Sequence, residues 1–108
     1  MKTAPGPLRL IPGGRYSIDF AVALEIDKRL NHMPLDRQRR QMAREGLEIT
    51  TQTMWDQEEA LAPLLEPSYI KLLAYILGDD IIGADETHWR LMEPGSSKKW
   101  WVWCLTTH

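Results

Sequence analysis

The clearest hydrophobic period in the chain begins near residue 17. Apolar side chains recur there every four residues, as on one face of an α-helix: Ile18, Val22, Ile26 and Leu30. Phe20, Ala23 and Leu24 widen this stripe. Ser17 is a residue type that caps helices by accepting a hydrogen bond from an early amide, and Pro34 stops a helix. The pattern predicts a first amphipathic helix between these two residues.

Two further helical segments follow. Residues 35–45 are short and strongly basic, and Gly46 can end this helix because glycine tolerates the left-handed backbone conformation. Residues 49–54 open a third helix with a threonine cap. A long apolar pattern then continues to Gly78, and we expect its residues to pack on other helices: Leu61, Leu65, Tyr69, Leu72 and Ile76. Pro63 and Pro67 lack a backbone donor, so either can divide this region in two.

The pattern changes to strands after Gly78. Residues 81–84 predict a short buried strand, residues 89–92 continue in an extended conformation, and residues 94–97 predict a turn. Residues 98–107 are rich in aromatic and β-branched side chains and predict a second strand, which makes a C-terminal hairpin. Two strands alone cannot close a sheet core. We expect Trp100, Trp101 and Trp103 to fill a core rather than stack on nucleic-acid bases.

Composition limits these elements to one small domain. The chain has 108 residues, 44% of them hydrophobic, and a formal net charge of -2. DNA attraction would therefore need a local cluster of positive residues. Residues 1–14 are dense in proline and glycine and predict a loose leader. Cys104 is a single cysteine, which excludes an internal disulfide. Residues 1–12 contain neither a secretory signal nor a membrane span, so we expect a soluble, cytoplasmic protein with no membrane partner.

Asp85 is the first residue with candidate chemistry. It follows an apolar strand, which would hold its carboxylate in place, and carboxylate oxygen is a suitable ligand for Mg²⁺ or Mn²⁺. Glu86 would point to the opposite face of the strand. By spacing alone an aspartate here is more often a turn or cap residue, so both interpretations stay open. The three histidines lack metal-type spacing, and no nucleophile with a paired base is evident.

The second candidate is the basic segment. Arg37, Arg40 and Arg44 fall at i, i+3 and i+7 on one helix face with Gln41 beside them, which suits contacts to phosphate. Three apolar residues of the segment can face inward: Leu35, Met42 and Ala43. A basic helix is also often merely a solvated surface, so that alternative stays open.

The segment after Gly46 adds to this candidate. Residues 49–54 are similar to the opening of the recognition helix in a helix-turn-helix, where Ile49 and Met54 would pack beneath the helix. Thr51 and Gln52 would then be exposed near a DNA groove.

The motifs occur in an order that is specific as a set. Met-Pro-Leu-x-Arg-Gln lies at 33–38 and Met-Ala-Arg-x-Gly-Leu-x-Ile-Thr-x-x-Thr-Met at 42–54. A long leucine-rich helix, Ala-Asp-Glu-Thr at 84–87 and a tryptophan-rich strand follow. Across about residues 11–107, this set resembles the central region of the insertion-sequence-sixty-six family of transposases.

The resemblance implies a fold, an activity and a cofactor. Such transposases have a ribonuclease H-like core of the Asp-Asp-Glu type, bind transposon ends and transfer DNA strands with Mg²⁺ or Mn²⁺. Asp85 matches the first catalytic aspartate and metal ligand. The second aspartate and the glutamate would lie beyond residue 108, and the zinc-binding and coiled-coil segments of full-length members would lie before residue 1. The resemblance therefore implies a truncated chain, inactive alone, that can depend on another transposase polypeptide.

The expected fold is an α+β fragment. Helical, helix-turn-helix-like segments at 15–78 follow the leader at 1–14, and residues 79–108 form the first two strands of an incomplete ribonuclease H-like core. The favoured function is that of a truncated transposase whose status as an enzyme stays open. The alternative is a non-catalytic helical DNA-binding module, and a third interpretation is a small helical protein whose tryptophan hairpin docks on a partner.

Overall fold

The computed structural model describes residues 3–90, 95 and 99–107. It contains three helices followed by an antiparallel two-stranded hairpin, which confirms the α+β prediction. The elements are α1 Ile18–Arg29, α2 Leu35–Arg44, α3 Thr51–Leu77, β1 Ile82–Arg90 and β2 Lys99–Thr107. The predicted extended residues 91–92 lie outside the described residues. Of the predicted turn at 94–97, only Gly95 is described, and its φ is +80°.

Short side chains and one glycine set the helix ends where the sequence predicts them. Ser17 Oγ accepts a hydrogen bond from the Phe20 amide at 3.3 Å, and Thr50 Oγ1 accepts one from the Thr53 amide at 3.1 Å. Gly46 has a φ of +91°. The amide of Leu47 donates to a carbonyl of the last turn of α2 at 2.9 Å, which satisfies an otherwise unpaired acceptor.

The end of α1 and the continuity of α3 differ in detail from the sequence expectations. α1 ends at Arg29, before Pro34 is reached, and His32 takes a left-handed conformation with φ +52°. α3 is one helix of 27 residues, so the prediction that Pro63 or Pro67 divides it is wrong. Each proline removes one backbone donor, but the leucines and glutamate between them are good helix formers that keep the helical conformation.

The chain divides within α3 into two compact units, Met1–Glu66 and Pro67–His108. The predicted domain limits at residues 14 and 78 stay predictions. By length and composition alone, α3 could cross a membrane. This is a weak indication, because core helices of soluble proteins meet the same criterion.

The core of the first unit lies under α1, α2 and the start of α3. Its buried centre consists of Leu24, Ile49 and Met54. Four partly buried side chains pack around this centre: Tyr16, Phe20, Leu35 and Met42. The inward orientation predicted for Leu35 and Met42 is therefore confirmed.

The buried side of α1 is the one on which Phe20 and Leu24 widen the predicted stripe, whereas three of the four positions of the four-residue period are exposed. Val22, Ile26 and Leu30 are 39%, 48% and 74% exposed, whereas Ala21 and Leu24 are buried. α1 is apolar on more than one face, so its own period does not decide which face packs. Ala21 has no side chain beyond Cβ, and this lets neighbouring elements approach its face closely.

Three polar side chains are also buried in the first unit: Gln38, Gln57 and Glu58. Gln38 of α2 donates from Nε2 to the carbonyls of Leu24 and Met33 at 3.2 and 2.9 Å, which ties α2 to α1 and to the end of the intervening loop. Glu58 of α3 accepts a hydrogen bond from Lys28 of α1, and the Lys28 ammonium lies 5.0 Å from the centroid of the Trp55 ring. These contacts hold the three helices together around a small apolar core.

The second unit contains the hairpin. β1 and β2 pair in register from Ile82 opposite Thr107 to Arg90 opposite Lys99. The expectation that its tryptophans fill a core is wrong for the residues that the structure describes, because Trp100, Trp101 and Trp103 are about half exposed. A two-stranded sheet has no second layer of its own to cover them. The apolar stripe of α3 is exposed at three positions, where its expected helix packing is wrong: Leu65, Tyr69 and Leu72. Leu61, near the start of the stripe, is buried as expected.

Candidate nucleic-acid interface and candidate carboxylate

The solvent side of α2 carries the residues that the sequence predicted for DNA contact. Arg37, Arg40, Gln41 and Arg44 are all exposed. The opposite side of the helix packs on the core through Leu35 and Met42. The helix thus presents guanidinium groups outward from a fixed support. Such a surface can bind phosphate oxygens through charge-assisted hydrogen bonds.

The arginines of α2 are not electrostatically equivalent. The Asp36 carboxylate accepts hydrogen bonds from Arg39 at 3.0 and 3.2 Å, and it forms an ion pair with Arg40 at 2.5 Å. The hydrogen bond from Arg39, followed by that from Arg40, lowers the pKa of Asp36 below its ordinary value. Arg37 and Arg44 take part in no ion pair within the described part of the chain.

The sequence interpretation missed the roles of Asp36 and Arg39. Their spacing of three residues, and the spacing of four from Asp36 to Arg40, is the signal that could have revealed these pairs, because such residues are neighbours on a helix surface.

The start of α3 brings the remaining predicted DNA contacts to the surface. Thr51 and Gln52 are exposed, and Gln52 Nε2 donates to Asp56 Oδ1 at 2.8 Å, so this amide is already held along its own helix. An open cleft of about 510 Å³ lies between Tyr16, Arg39 and the first turn of α3. Arg39 is the only residue of α2 that lines this cleft, so the cleft lies beside the face formed by Arg37, Arg40 and Arg44 and is not part of it.

Asp85 lies inside β1 and not at its end. The expectation that it follows a finished strand is wrong, because β1 runs without interruption through Arg90. Asp85 is exposed, stands opposite Cys104 of β2, and accepts a hydrogen bond from the Glu86 amide at 2.9 Å. Glu86 faces the other side of the strand, since strand side chains alternate.

The carboxylate of Asp85 has the chemistry of a metal ligand but lacks companions. Among residues 3–90, 95 and 99–107, no three His, Cys, Asp or Glu side chains cluster so that they could hold a metal ion. Mg²⁺ prefers six oxygen ligands, some of them water. Asp85 can supply one of these ligands, so the described residues do not form a complete metal centre.

Comparison with known proteins adds a family match. The family described as Transposase IS66 family matches residues 13–108. An uncharacterised protein of Sinorhizobium fredii is 30% identical over 95 residues, which cover 88% of this chain and 19% of that relative. The chain thus spans about a fifth of the length of the curated relative that it matches. No solved structure matches the chain.

Proposed function

The chain belongs to the IS66 family of transposases, and from this premise we propose that its helical unit binds the DNA of a bacterial insertion sequence through α2. The observation that carries the proposal is the exposed arginine face on a helix whose other side is packed on the core. With a net charge of -2, the chain as a whole does not attract DNA, so a local surface must do so.

The positions of the arginines suit a DNA backbone. Arg37 and Arg44 are two helical turns apart, or about 10 Å along the axis. This is close to the rise of three nucleotides along one strand, about 3.4 Å each. Arg40 and Gln41 lie between them, and Thr51 and Gln52 of α3 would reach a groove.

Salt-dependent binding tests this interface. We expect the affinity for a labelled duplex containing transposon-end sequence to fall as salt rises, because bound phosphates release counterions. Replacing both Arg37 and Arg44 by glutamine should reduce the slope of log affinity against log salt by about 1.8, since each phosphate contact contributes about 0.9.

The matched control is Arg29→Gln. Arg29 is an exposed arginine of α1, paired with Glu25 at 3.1 Å, and its loss changes the net charge in the same direction as each α2 substitution. It should leave the salt slope unchanged. Salt-independent binding, no binding, or an equal effect of the control would contradict the proposed interface.

We propose further that Asp85 is the first catalytic carboxylate of the parent transposase and a ligand of its divalent metal. The family match and the oxygen chemistry of Asp85 support this role. In two-metal phosphoryl transfer, the ions stabilise the attacking and leaving oxygens and require several ligands. The other acidic ligands would come from residues outside these 108, on the same or another transposase polypeptide in the bacterial cytoplasm. These 108 residues alone would therefore not transfer DNA strands.

Line broadening in NMR spectra by Mn²⁺ tests the role of Asp85. We expect weak broadening centred on β1, because one carboxylate binds a divalent ion loosely. Asp85→Asn should remove it, whereas Glu86→Gln, a neighbouring substitution on the other face of the strand, should preserve it. Broadening that persists without the Asp85 carboxylate would refute the assignment.

A second candidate function is a non-catalytic helical DNA-binding module. The exposed arginine face of α2 supports it, because binding through that surface needs no metal centre. A nicking assay with Mn²⁺ on transposon-end DNA, carried out with these residues inside a longer polypeptide, separates the two. Loss of nicking in Asp85→Asn supports the transposase role. Nicking that is unchanged in Asp85→Asn shows that residues outside these 108 cut the DNA, and it supports the module.

A further inference from the structure

The arginines of α2 fall into two electrostatic classes. Arg39 and Arg40 share the Asp36 carboxylate, at 3.0 and 2.5 Å, while Arg37 and Arg44 have no carboxylate partner among the residues the structure describes. Asp36 lies in the first turn of α2, where its negative charge also suits the positive end of the helix dipole. The helix therefore keeps this acid next to the surface that would meet DNA.

A carboxylate at this place opposes a phosphate backbone in two ways. It already occupies some of the guanidinium donors that a phosphate would use, namely those on Nε and Nη2 of Arg39 and on Nη2 of Arg40. It also repels the phosphate charge over a distance of about 10 Å at 0.1 M salt. The side chains of Asp36, Arg39 and Arg40 are 49%, 38% and 67% exposed, so the pairing occurs at the surface and not in the core. A phosphate that approached Arg40 would meet an acid beside it.

We propose that Asp36 is a specificity-determining residue that withholds Arg39 and Arg40 from the DNA backbone, an inference that rests on the proposed DNA-binding function. Sequence-independent attraction is then carried by Arg37 and Arg44. Non-specific affinity comes almost entirely from such backbone contacts, and competing genomic sites are numerous. Limiting the number of available cations raises the ratio of specific to non-specific binding.

The direct test is Asp36→Asn, measured by fluorescence anisotropy with a labelled 20-base-pair duplex of random sequence. The freed guanidiniums add two phosphate contacts, so the salt slope should steepen from about -2 to about -4, and affinity at 0.1 M salt should rise roughly tenfold. A duplex of transposon-end sequence should gain less, which lowers the specificity ratio.

Two controls assign the effect to the pairing. Glu25→Gln removes an acid from an exposed ion pair on α1 and should leave the slope unchanged. Asp36→Asn should also have no effect when Arg39 and Arg40 are already glutamine, because no cation is then released. Far-UV circular dichroism checks the fold, and Asp36→Ser is the second variant if the asparagine protein does not fold.

The outcomes separate this inference from the function on which it rests. If the unaltered protein binds with a salt slope but Asp36→Asn binds no more strongly and with the same slope, Asp36 does not withhold the arginines. If Asp36→Asn binds more weakly, the acid positions the arginines for contact and the inference is wrong. If neither protein binds duplex at 50 mM salt, the proposed DNA-binding function is wrong, and the inference about Asp36 is wrong as a consequence.

Discussion

Replacing Leu24 by alanine removes the centre of the small core in the unit Met1–Glu66. Leu24 is 1% exposed and packs with Ile49 and Met54. The substitution deletes three carbon atoms, worth about 0.8 kcal/mol each in transfer free energy. The cavity left behind adds a further cost, so we expect the free energy of unfolding to fall by about 3 kcal/mol.

Ile26→Ala is the matched control on the same helix. Ile26 is 48% exposed, so its truncation loses only about half of the transfer term and leaves no cavity. We expect a cost of about 1 kcal/mol, further reduced because alanine has the higher helix propensity. Comparing the losses in free energy of unfolding of the two variants therefore tests which face of α1 is buried.

Urea denaturation followed by far-UV circular dichroism measures both costs. With a slope of about 2 kcal/mol/M, the Leu24 variant should unfold at a urea concentration lower by about 1.5 M. The Ile26 variant should shift by about 0.5 M or less. An Ile26→Ala cost equal to or above that of Leu24→Ala would refute the packing described for α1, and would restore the four-residue stripe as its buried face.

Three further predictions concern polar and backbone features. Lys28→Met should lower the free energy of unfolding, measured by urea denaturation, by about 3 kcal/mol because it leaves the buried Glu58 carboxylate unpaired. Glu58→Gln should lower it less because the Lys28 ammonium still reaches water. Equal losses would argue against a buried pair. The pKa of the Asp36 carboxyl, measured by NMR, should lie below its ordinary value and should rise in Arg39→Ala. A carboxyl whose pKa is lowered by folding stabilises the folded state above its unfolded-state pKa, and this stabilisation is lost as the pH falls through the folded-state pKa. An unchanged pKa in Arg39→Ala would exclude the pairing. Gly46→Ala should cost about 1 kcal/mol, because φ is +91° there, although the space around the new Cβ is open; a neutral result in thermal unfolding would mean that α2 ends differently.

The helix limits could be predicted because they depend on local chemistry. Ser17, Gly46 and Thr50 act through bonds and backbone angles within a few residues of themselves, so the sequence around each contains the necessary information. The same holds for the outward direction of Arg37 and Arg44, which follows from helical spacing once Leu35 and Met42 face the core.

The packing of α1 could not be predicted from its own period. Its apolar residues cover more than one face, and the choice between faces depends on what α2 and α3 bring against the helix. Gln38 illustrates the difficulty, because a buried glutamine becomes favourable only where two carbonyls, here those of Leu24 and Met33, lie within reach.

The candidate site was predictable only where it depends on local spacing and not on contacts between elements or on side-chain rotamers. The placement of exposed residues on α2 follows from spacing, but the Asp36 pairs depend on side-chain rotamers. For Asp85, the sequence indicated a strand and a carboxylate, yet the continuity of β1 through Arg90 depends on pairing with β2, which no local pattern contains.

The pairing of Asp85 with Cys104 has a practical consequence. Cys104 is the only cysteine of the chain, it is exposed, and it stands directly across the hairpin from the candidate carboxylate. A thiol-reactive fluorophore would therefore attach at one defined position, with its Cα about 5 Å from that of Asp85. The natural sequence thus carries a ready labelling point from which quenching by Mn²⁺ could be followed without introducing or removing any other residue.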